Sequence, residues 1–333
     1  MLHRYVLEPL SPWGTPLRGD TLYGLILFRI GEEEGVEKLR QTLTAFRENR
    51  PPFIVSSAIP ENTLFAPALA PAPREAFRNW TDKGAFCDKA GKKLALREAL
   101  NLYKKFRKTP YIPLRVWQKH ADALSVRTLV ASFCKGEWGD EACGSQQKPF
   151  SKSGVEPHVT IARNTGSALE GGLFVDTLTY FRAGARLHLY AETAEPDRLL
   201  HYLERIGNLG FGKNASTGKG RFAVEHDAAF DPVSLASSGT KRLLLSPCAA
   251  GDMRSLDGCY AVEVKRGKAA LHIAGGNPFK NPILCVREGA VLSSLPNGPY
   301  VLDGVHDNPD IVQVVQPLSL LIEIGRASCR ERV

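Results

Sequence analysis

Residues 196–225, PDRLLHYLERIGNLGFGKNASTGKGRFAVE, contain a helix signal, a glycine-rich loop and a strand signal in that order. Proline favours the first turn of a helix, and the apolar spacing after Pro196 predicts a helix to about Ile206. Alternating side chains after the glycines predict a strand at 220–225. The segment therefore ends a unit in which a helix leads into a strand.

The chain before this segment supplies the other elements of such a unit. Residues 3–8 predict a strand, and Asp20 is a suitable N-cap for a helix over 21–30. Apolar residues at helical spacing predict a second helix at 33–48, and β-branched residues predict a strand at 53–55. Three more strands are expected later in the chain, at 158–162, 172–177 and 185–191.

A long insertion separates these two halves. Four prolines in residues 60–74 predict an extended loop, residues 93–108 an amphipathic helix, and residues 144–157 a flexible segment. Strand–helix–strand followed by strand–helix–strand is the βαββαβ order of a ferredoxin-like α+β domain. This fold serves many functions and by itself implies none of them.

The pattern changes after a loop at 227–241, where short strand signals replace helices. The expected strands are at 242–246, 259–264, 269–273, 282–286, 311–315 and 318–322. We therefore expect two domains, residues 1–230 with an insertion at about 60–157, and residues 231–322. Residues 323–333 look like the translation of a sequencing-adapter oligonucleotide, and we expect them to be foreign to the protein.

Composition excludes several classes of protein. The 333 residues are 43% hydrophobic and 23% charged, which is typical of a globular chain and not of a disordered or fibrous one. The longest apolar run is about ten residues, too short for a membrane-spanning helix. Seven irregularly spaced cysteines argue against a secreted disulfide scaffold, so we expect a cytoplasmic protein. The net charge of +8 favours an anionic partner.

The glycine-rich loop is the strongest local signal for function. Between Gly207 and Phe222 there are five glycines, two lysines and one arginine, and no acidic residue. Glycines allow close backbone approach, successive N–H groups can form an anion-binding nest, and the cations can contact phosphate. Arg18 precedes a helix N-terminus, which also favours phosphate. The residues expected to bind RNA are Arg18, Arg163, Gly210, Gly212, Lys213, Asn214, Ser216, Thr217, Gly218, Lys219, Gly220 and Arg221.

Other interpretations of these residues remain open. Residues 207–213 nearly match a Walker A loop, but Asn214 replaces the Mg²⁺-binding hydroxyl, and a P-loop follows a strand, not a helix. The loop could also be a structural turn with solvated lysines. Cys134, Cys143 and His158 could be drawn into a zinc site, although their spacing matches no common ligand pattern. We expect no cofactor, no metal and no catalytic residue.

Several segments resemble one protein family. The loop at 210–220 is similar to the glycine-rich loop of the RAMP proteins of CRISPR systems, and TPLRGDTLYG at 15–24 resembles the opening of their first helix. HVTIARNTG at 158–166 resembles another family motif, with Ala162 where an aspartate is usual. Further similar stretches lie at 64–69, 104–113 and 281–291. Together they resemble the type III-A (Csm) subunit that caps the 5′ handle of crRNA.

The resemblance implies a fold and a function. It implies two ferredoxin-like domains, no catalytic role, and binding to the repeat-derived 5′ handle of crRNA. It also implies contacts with a large polymerase-like subunit and with a backbone RAMP subunit, and no contact with a membrane. The departure at Ala162 leaves the role of the family's carboxylate in doubt.

A second basic segment lies at residues 101–119, which contain no acidic residue. Its aromatic residues Tyr103 and Phe106 are expected to face the core of an amphipathic helix. Its cations could meet solvent, RNA or a partner protein: Lys104, Lys105, Arg107, Lys108, Arg115 and Lys119.

The main alternative is a metal-independent, guide-processing endoribonuclease of the RAMP type. Such cleavage needs a general base near the 2′-hydroxyl and an acid for the leaving oxygen, commonly histidines. The candidates are His3, His158, His188 and His201, none of which falls in a recognisable catalytic pattern.

Overall fold

The computed structural model describes residues 1–139, 149–251 and 253–324. Its helices are α1 Gly19–Glu33, α2 Val36–Arg47, α3 Arg74–Asp82, α4 Leu96–Phe106, α5 Leu114–His120, α6 Val126–Cys134, α7 Pro196–Leu209 and α8 Leu271–Ala274. Its strands are β1 Leu2–Pro9, β2 Phe53–Val55, β3 Ile59–Pro60, β4 Thr63–Phe65, β5 Tyr111–Pro113, β6 Ser151–Ile161, β7 Ala168–Phe181, β8 Leu187–Thr193, β9 Phe222–His226, β10 Lys241–Leu244, β11 Cys248–Ala249, β12 Gly258–Cys259, β13 Val262–Lys265, β14 Ile283–Val286, β15 Val291–Leu292, β16 Val301–Leu302, β17 Gln313–Val314 and β18 Ser319–Ile322.

The first sheet has the strand order β2–β8–β1–β9, with antiparallel pairing throughout and β3 beside β8. With α1 between β1 and β2, and α7 between β8 and β9, this is the βαββαβ order predicted for the first part of the chain. Strand β1 is central, and its Tyr5 and Leu7 are fully buried beneath the helices. Burial of such apolar surface drives the sheet and helices together.

Helix α1 begins earlier than predicted. Arg18, not Asp20, occupies its N-cap position, with no hydrogen bond from the cap side chain. Asp20 lies in the first turn, is 1% exposed and forms an ion pair with Lys265. A carboxylate in this turn is favourable because the N-terminal end of a helix carries partial positive charge.

In its described residues the insertion contains four helices, α3 to α6, and the antiparallel strand pair β4–β5. Its core, which includes Phe77, Trp117 and Leu129, continues into Leu243 and Leu320 of the C-terminal sheet. The predicted helix at 93–108 is confirmed as α4, whereas the predicted extended loop at 60–74 contains the short strand β4 and the last residue of β3. The insertion therefore packs on the C-terminal part of the chain and shares its core.

A long hairpin follows the insertion. Strands β6 and β7 pair in register from Ser151 opposite Phe181 to Val159 opposite Leu173. The prediction of a flexible segment at 144–157 is wrong for residues 151–157, which lie in β6, while 144–148 are outside the described residues. The serines and glycine there carry little β-propensity, and the hydrogen bonds of the partner strand supply the order.

The C-terminal part is rich in short strands, as expected. It forms a four-stranded sheet in the order β12–β15–β10–β18 and a three-stranded sheet in the order β11–β14–β13. The predicted strand at 269–273 is wrong, because the alanine-rich segment forms the short helix α8. Within the described part of residues 231–322 this is the single α-helix, so a second ferredoxin-like arrangement is not confirmed.

The chain after β18 continues to pair with the insertion. The N–H of Leu124 donates to the carbonyl of Glu323, and Leu124 forms a parallel bridge with Ile324. The rest of the suspected foreign tail, 325–333, lies outside the described residues. No helix in the described ranges is long and apolar enough to span a membrane.

Candidate nucleic-acid interface

The glycine-rich loop connects the end of α7 to the start of β9. This helix-to-strand order is the reverse of a P-loop, which argues against nucleotide binding of the Walker A kind. Gly210, Gly212, Gly218 and Gly220 all have positive φ, between 70° and 82°. At Gly220 a Cβ atom would also collide with the backbone of Phe211, so no other residue fits there.

The loop is anchored to the segment between β1 and α1. The N–H of Gly220 donates to the carbonyl of Pro12 at 2.9 Å, and the N–H of Arg221 donates to Ser11 Oγ at 2.9 Å. Beneath them the ring of Trp13 meets the ring of Phe211 edge-on at 5.0 Å. The loop is therefore held in one conformation by its neighbours.

The predicted backbone nest for an anion is wrong for most of the loop. Its N–H groups are already used by acceptors of the protein, so an incoming phosphate would meet side chains instead. The residues whose N–H groups donate in this way are Lys213, Ala215, Thr217, Gly218, Lys219, Gly220 and Arg221.

The two loop lysines are neutralised by carboxylates of the hairpin. Lys213 forms an ion pair with Asp176, and the side-chain amide of Asn214 donates to the same carboxylate at 2.5 Å. These hydrogen bonds lower the pKa of Asp176, whose side chain is 4% exposed. Lys219 Nζ lies 2.8 Å from Glu156 Oε2. Asp176 and Glu156 are cross-strand partners, so the hairpin and the loop form one polar interface.

The opposite face of the hairpin is apolar and exposed. Cross-strand partners share a face of a hairpin, so Val155, Val159, Leu173 and Val175 project on the side away from Glu156 and Asp176. Their exposed fractions run from 47% to 72%. The sequence analysis did not identify this surface, although the alternation in VEPHVTI at 155–161 is its signal.

The remaining residues expected to contact RNA lie in three places: on the loop surface, in the far turn of the hairpin and at the start of α1. Ser216, Thr217, Gly218 and Arg221 are exposed on the loop, where Ala215–Thr217 forms a single 3-10 turn. Arg163 is exposed in the turn at the far end of the hairpin, roughly 20 Å from Glu156 at the usual rise of a strand.

Arg18 lies apart from the loop residues. Its guanidinium makes two hydrogen bonds to Glu288, at 2.8 Å and 2.7 Å, and an ion pair with Glu263. These interactions raise its pKa against the effect of burial. The structure therefore places Arg18 in a contact between α1 and the C-terminal part, not at the loop.

The candidate histidines of a nuclease are dispersed. His158 lies 3.5 Å from Asp176, His201 contacts Glu33 at 2.7 Å, and burial lowers the pKa of His188 to about 4. His3 has a neighbour that the sequence analysis missed, because its Nδ1 lies 3.2 Å from Nε2 of His226 on the adjacent strand. Burial, together with the charge of this neighbour, lowers the pKa of His3.

The suggested zinc site gains no support from the described residues. Cys134 is buried, His158 faces Asp176, and Cys143 lies outside the described ranges. Within those ranges there is no cluster of three or more His, Cys, Asp or Glu side chains suited to a metal ion.

Comparison with known proteins gives a result at the level of structure. No protein-family model and no curated protein matches the sequence. Csm4 in the crystal structure of a Csm1–Csm4 cassette with pppApA is 14% identical, with 98% of this chain and 100% of that chain covered and a TM-score of 0.54. The structure of the cassette with cA4 gives 13% identity and a TM-score of 0.57, with 98% of this chain and 100% of that chain covered.

A second kind of assembly contains the same fold. A crystal structure of the Csm3–Csm4 subcomplex of the type III-A CRISPR-Cas interference complex gives 13% identity, 96% and 99% coverage, and a TM-score of 0.55. The protein common to both assemblies is Csm4, a RAMP protein. Over nearly its whole length, the chain therefore has the fold of Csm4, as the resemblance of its sequence motifs to the type III-A RAMP subunits predicted.

Proposed function

We propose that this protein is a non-catalytic, RNA-binding subunit of a type III-A CRISPR interference complex. The observation that carries the proposal is the similarity to Csm4 along nearly the full length of both chains. Partial similarity would point to a shared RAMP domain, which many functions use. Similarity that includes the insertion and the C-terminal sheets points to the same kind of subunit.

The proposed partners are a large polymerase-like subunit and a backbone RAMP subunit. Proteins with this fold occur with Csm1 in one set of crystal structures and with Csm3 in another. A subunit that meets both occupies the junction between them. We accordingly propose two domains for this chain, 1–230 with its insertion at about 60–157, and 231–322, joined by the core that the insertion shares with the C-terminal sheet.

The proposed RNA ligand is the repeat-derived 5′ handle of crRNA, bound where the hairpin meets the glycine-rich loop. Single-stranded RNA is recognised through phosphate contacts and through surfaces that accept splayed bases. The exposed hydroxyl of Ser216 and the guanidinium of Arg221 supply the phosphate contacts. The rings of His158 and Phe174, stacked 5.2 Å apart on the same face of the hairpin as Glu156 and Asp176, supply the surface for bases.

Binding by the loop lysines requires an exchange of partners. Lys213 and Lys219 are paired with Asp176 and Glu156, so phosphate must replace these carboxylates. When Lys213 leaves, Asp176 keeps the side-chain amide of Asn214 as a partner, and an RNA strand offers several phosphates at once. The exchange is therefore favourable for a polyanion and unfavourable for a single anion.

The test compares guides with intact and scrambled handles. The purified chain should bind an RNA that begins with the repeat-derived handle more tightly than an RNA of the same length and composition with the handle scrambled. Equal affinity for the two RNAs at physiological salt would contradict the proposed handle binding.

The second candidate function is guide processing by metal-independent cleavage. The observation that favours it is the pair His3 and His226, since two imidazoles 3.2 Å apart can share a proton. Incubation with repeat RNA in the presence of a chelator decides between the two functions. Specific cleavage that disappears in His3→Ala would establish the nuclease. RNA that stays intact would exclude cleavage and support the binding function.

A further inference from the structure

The helical insertion carries the positive charge of the whole chain. Residues 74–139 contain 15 Lys+Arg against 6 Asp+Glu, a net charge of +9, whereas the complete chain has +8. Among the described residues, Lys119 is the one cation of the insertion that forms an ion pair, with Glu137. The lysines of the glycine-rich loop, by contrast, are paired. The net positive charge of the chain therefore lies mainly on the insertion, where cations far outnumber carboxylates.

Part of this charge is organised as a stripe along α4. Arg97 and Lys104 are seven residues apart and so lie on the same face of the helix, and Lys108 continues that line beyond the helix end. All three side chains are exposed, while the opposite face packs Ala99 and Phe106 into the core. We name Arg97, Lys104 and Lys108 the α4 stripe.

A cavity opens next to the end of α4. It has a volume of about 660 Å³ and lies between the insertion and residues 256–261 of the C-terminal part. The side chains of Phe106, Arg107, Trp138 and Tyr260 line it. The guanidinium of Arg107 is fixed by a hydrogen bond to the carbonyl of Leu69 at 3.0 Å. A volume in this range is suited to a nucleotide-sized ligand.

One wall of the cavity is aromatic. Phe106 and Tyr260 are half-buried there, and the almost fully buried ring of Trp138 packs edge-on against Phe106 at 5.4 Å. The guanidinium of Arg107 lies beside them, and Lys108, the last cation of the α4 stripe, follows Arg107 directly in the chain. The cavity thus combines aromatic side chains with a guanidinium at the end of the α4 stripe.

We propose that the insertion is a second nucleic-acid site, which binds a single strand through the α4 stripe and takes one unstacked base into the neighbouring cavity. The cations meet the phosphates, and Tyr260 meets the base. A duplex cannot enter in this way because its bases are stacked and paired. An acidic protein surface would match the stripe but would leave the aromatic side chains of the cavity unused.

The experiment measures binding of a fluorescent 20-nucleotide oligouridine to the full chain at several salt concentrations. Arg97→Gln/Lys104→Gln/Lys108→Gln should weaken binding at least tenfold and reduce the slope of log K against log salt by about 2, since each phosphate left without its cation lowers the slope by about 0.7. Tyr260→Ala should weaken binding about tenfold without changing the slope, because stacking releases no counterions. The control Arg40→Gln/Arg266→Gln/Lys268→Gln removes three exposed cations outside the insertion and should bind as the unmodified chain does.

Three results would overturn the proposal. An equal weakening in the α4-stripe variant and the control would mean that attraction is diffuse. An RNA duplex that competes as well as the single strand would exclude base insertion. A stripe variant that keeps its RNA affinity but no longer joins the Csm1- and Csm3-like subunits would assign the surface to a protein. The comparison of intact and scrambled handles is scored separately, so failure of the handle site and failure of this site are distinguishable.

Discussion

His188 illustrates how one buried side chain makes folding depend on pH. It is 2% exposed in β8, and its burial, with a contribution from Arg4, lowers its pKa to about 4. In the unfolded chain the pKa is near 6.5, so between pH 6.5 and pH 4 the histidine is protonated in the unfolded state and neutral in the folded state. Stability should therefore fall as the pH drops from 6.5 towards 4.

The expected decrease from this residue is about 2 kcal/mol between pH 7 and pH 5. His188→Gln keeps a polar side chain of similar size but does not titrate, so its free energy of unfolding should fall less over the same interval. Urea unfolding of both proteins at the two pH values measures the difference. Identical pH dependence in the two proteins would assign the acid sensitivity to other groups.

Asp176 competes with RNA for Lys213 in the proposed handle site. Asp176→Asn keeps the hydrogen-bonding shape and removes the competing charge, so we expect tighter binding of the guide and a steeper salt dependence. Lys213→Gln/Lys219→Gln should act in the opposite direction, with the slope reduced by about 0.7 for each phosphate that is no longer neutralised. Fluorescence anisotropy at several salt concentrations checks both, and changes of the same sign in the two variants would place the RNA elsewhere.

At the scale of the element, the glycine-rich loop depends on backbone geometry. Gly220→Ala should destabilise the protein by roughly 2 kcal/mol or more, because a positive φ is combined with a collision against Phe211. Gly218→Ala is the matched control, since it has φ of 82° but open space around its Cβ position, and it should cost about 1 kcal/mol. Urea unfolding measures both, and equal costs would show that the collision is relieved by a shift of the loop.

Local sequence patterns predict some helices and strands of this protein and miss others. Helices α1, α2, α4 and α7 and the first sheet follow from helical and alternating periodicity, which a single sequence displays. Residues 151–154 have no such pattern, and they join β6 because β7 pairs with them. Pairing of Lys213 with Asp176 was equally invisible, since 37 positions of sequence separate the two charges. The cations of the loop can thus be named from the sequence, whereas their partners in the fold are set by tertiary contacts.

At the scale of the whole molecule, charged contacts join the first sheet domain to the C-terminal part. Arg18 binds Glu288 and Glu263, and Asp20 binds Lys265. Arg18→Ala would leave Glu288, with 7% of its side chain exposed, without its cation, and we expect a destabilisation of about 3 kcal/mol or more. In a double-mutant cycle with Glu288→Gln the two changes should be strongly non-additive, as measured by urea unfolding. Additive costs below about 1 kcal/mol would show that this ion pair does not join the two parts of the chain.

The central claim, that the chain is the junction subunit of a type III-A complex, is tested most directly by co-purification. The tagged chain is expressed with a Csm1-like subunit, a Csm3-like subunit and a guide precursor, and the material retained on the tag is separated on gels for protein and RNA. The account predicts that both subunits are retained together with a guide that starts with the repeat-derived handle. A complete complex of the other subunits and guide that forms equally well without this chain would contradict it.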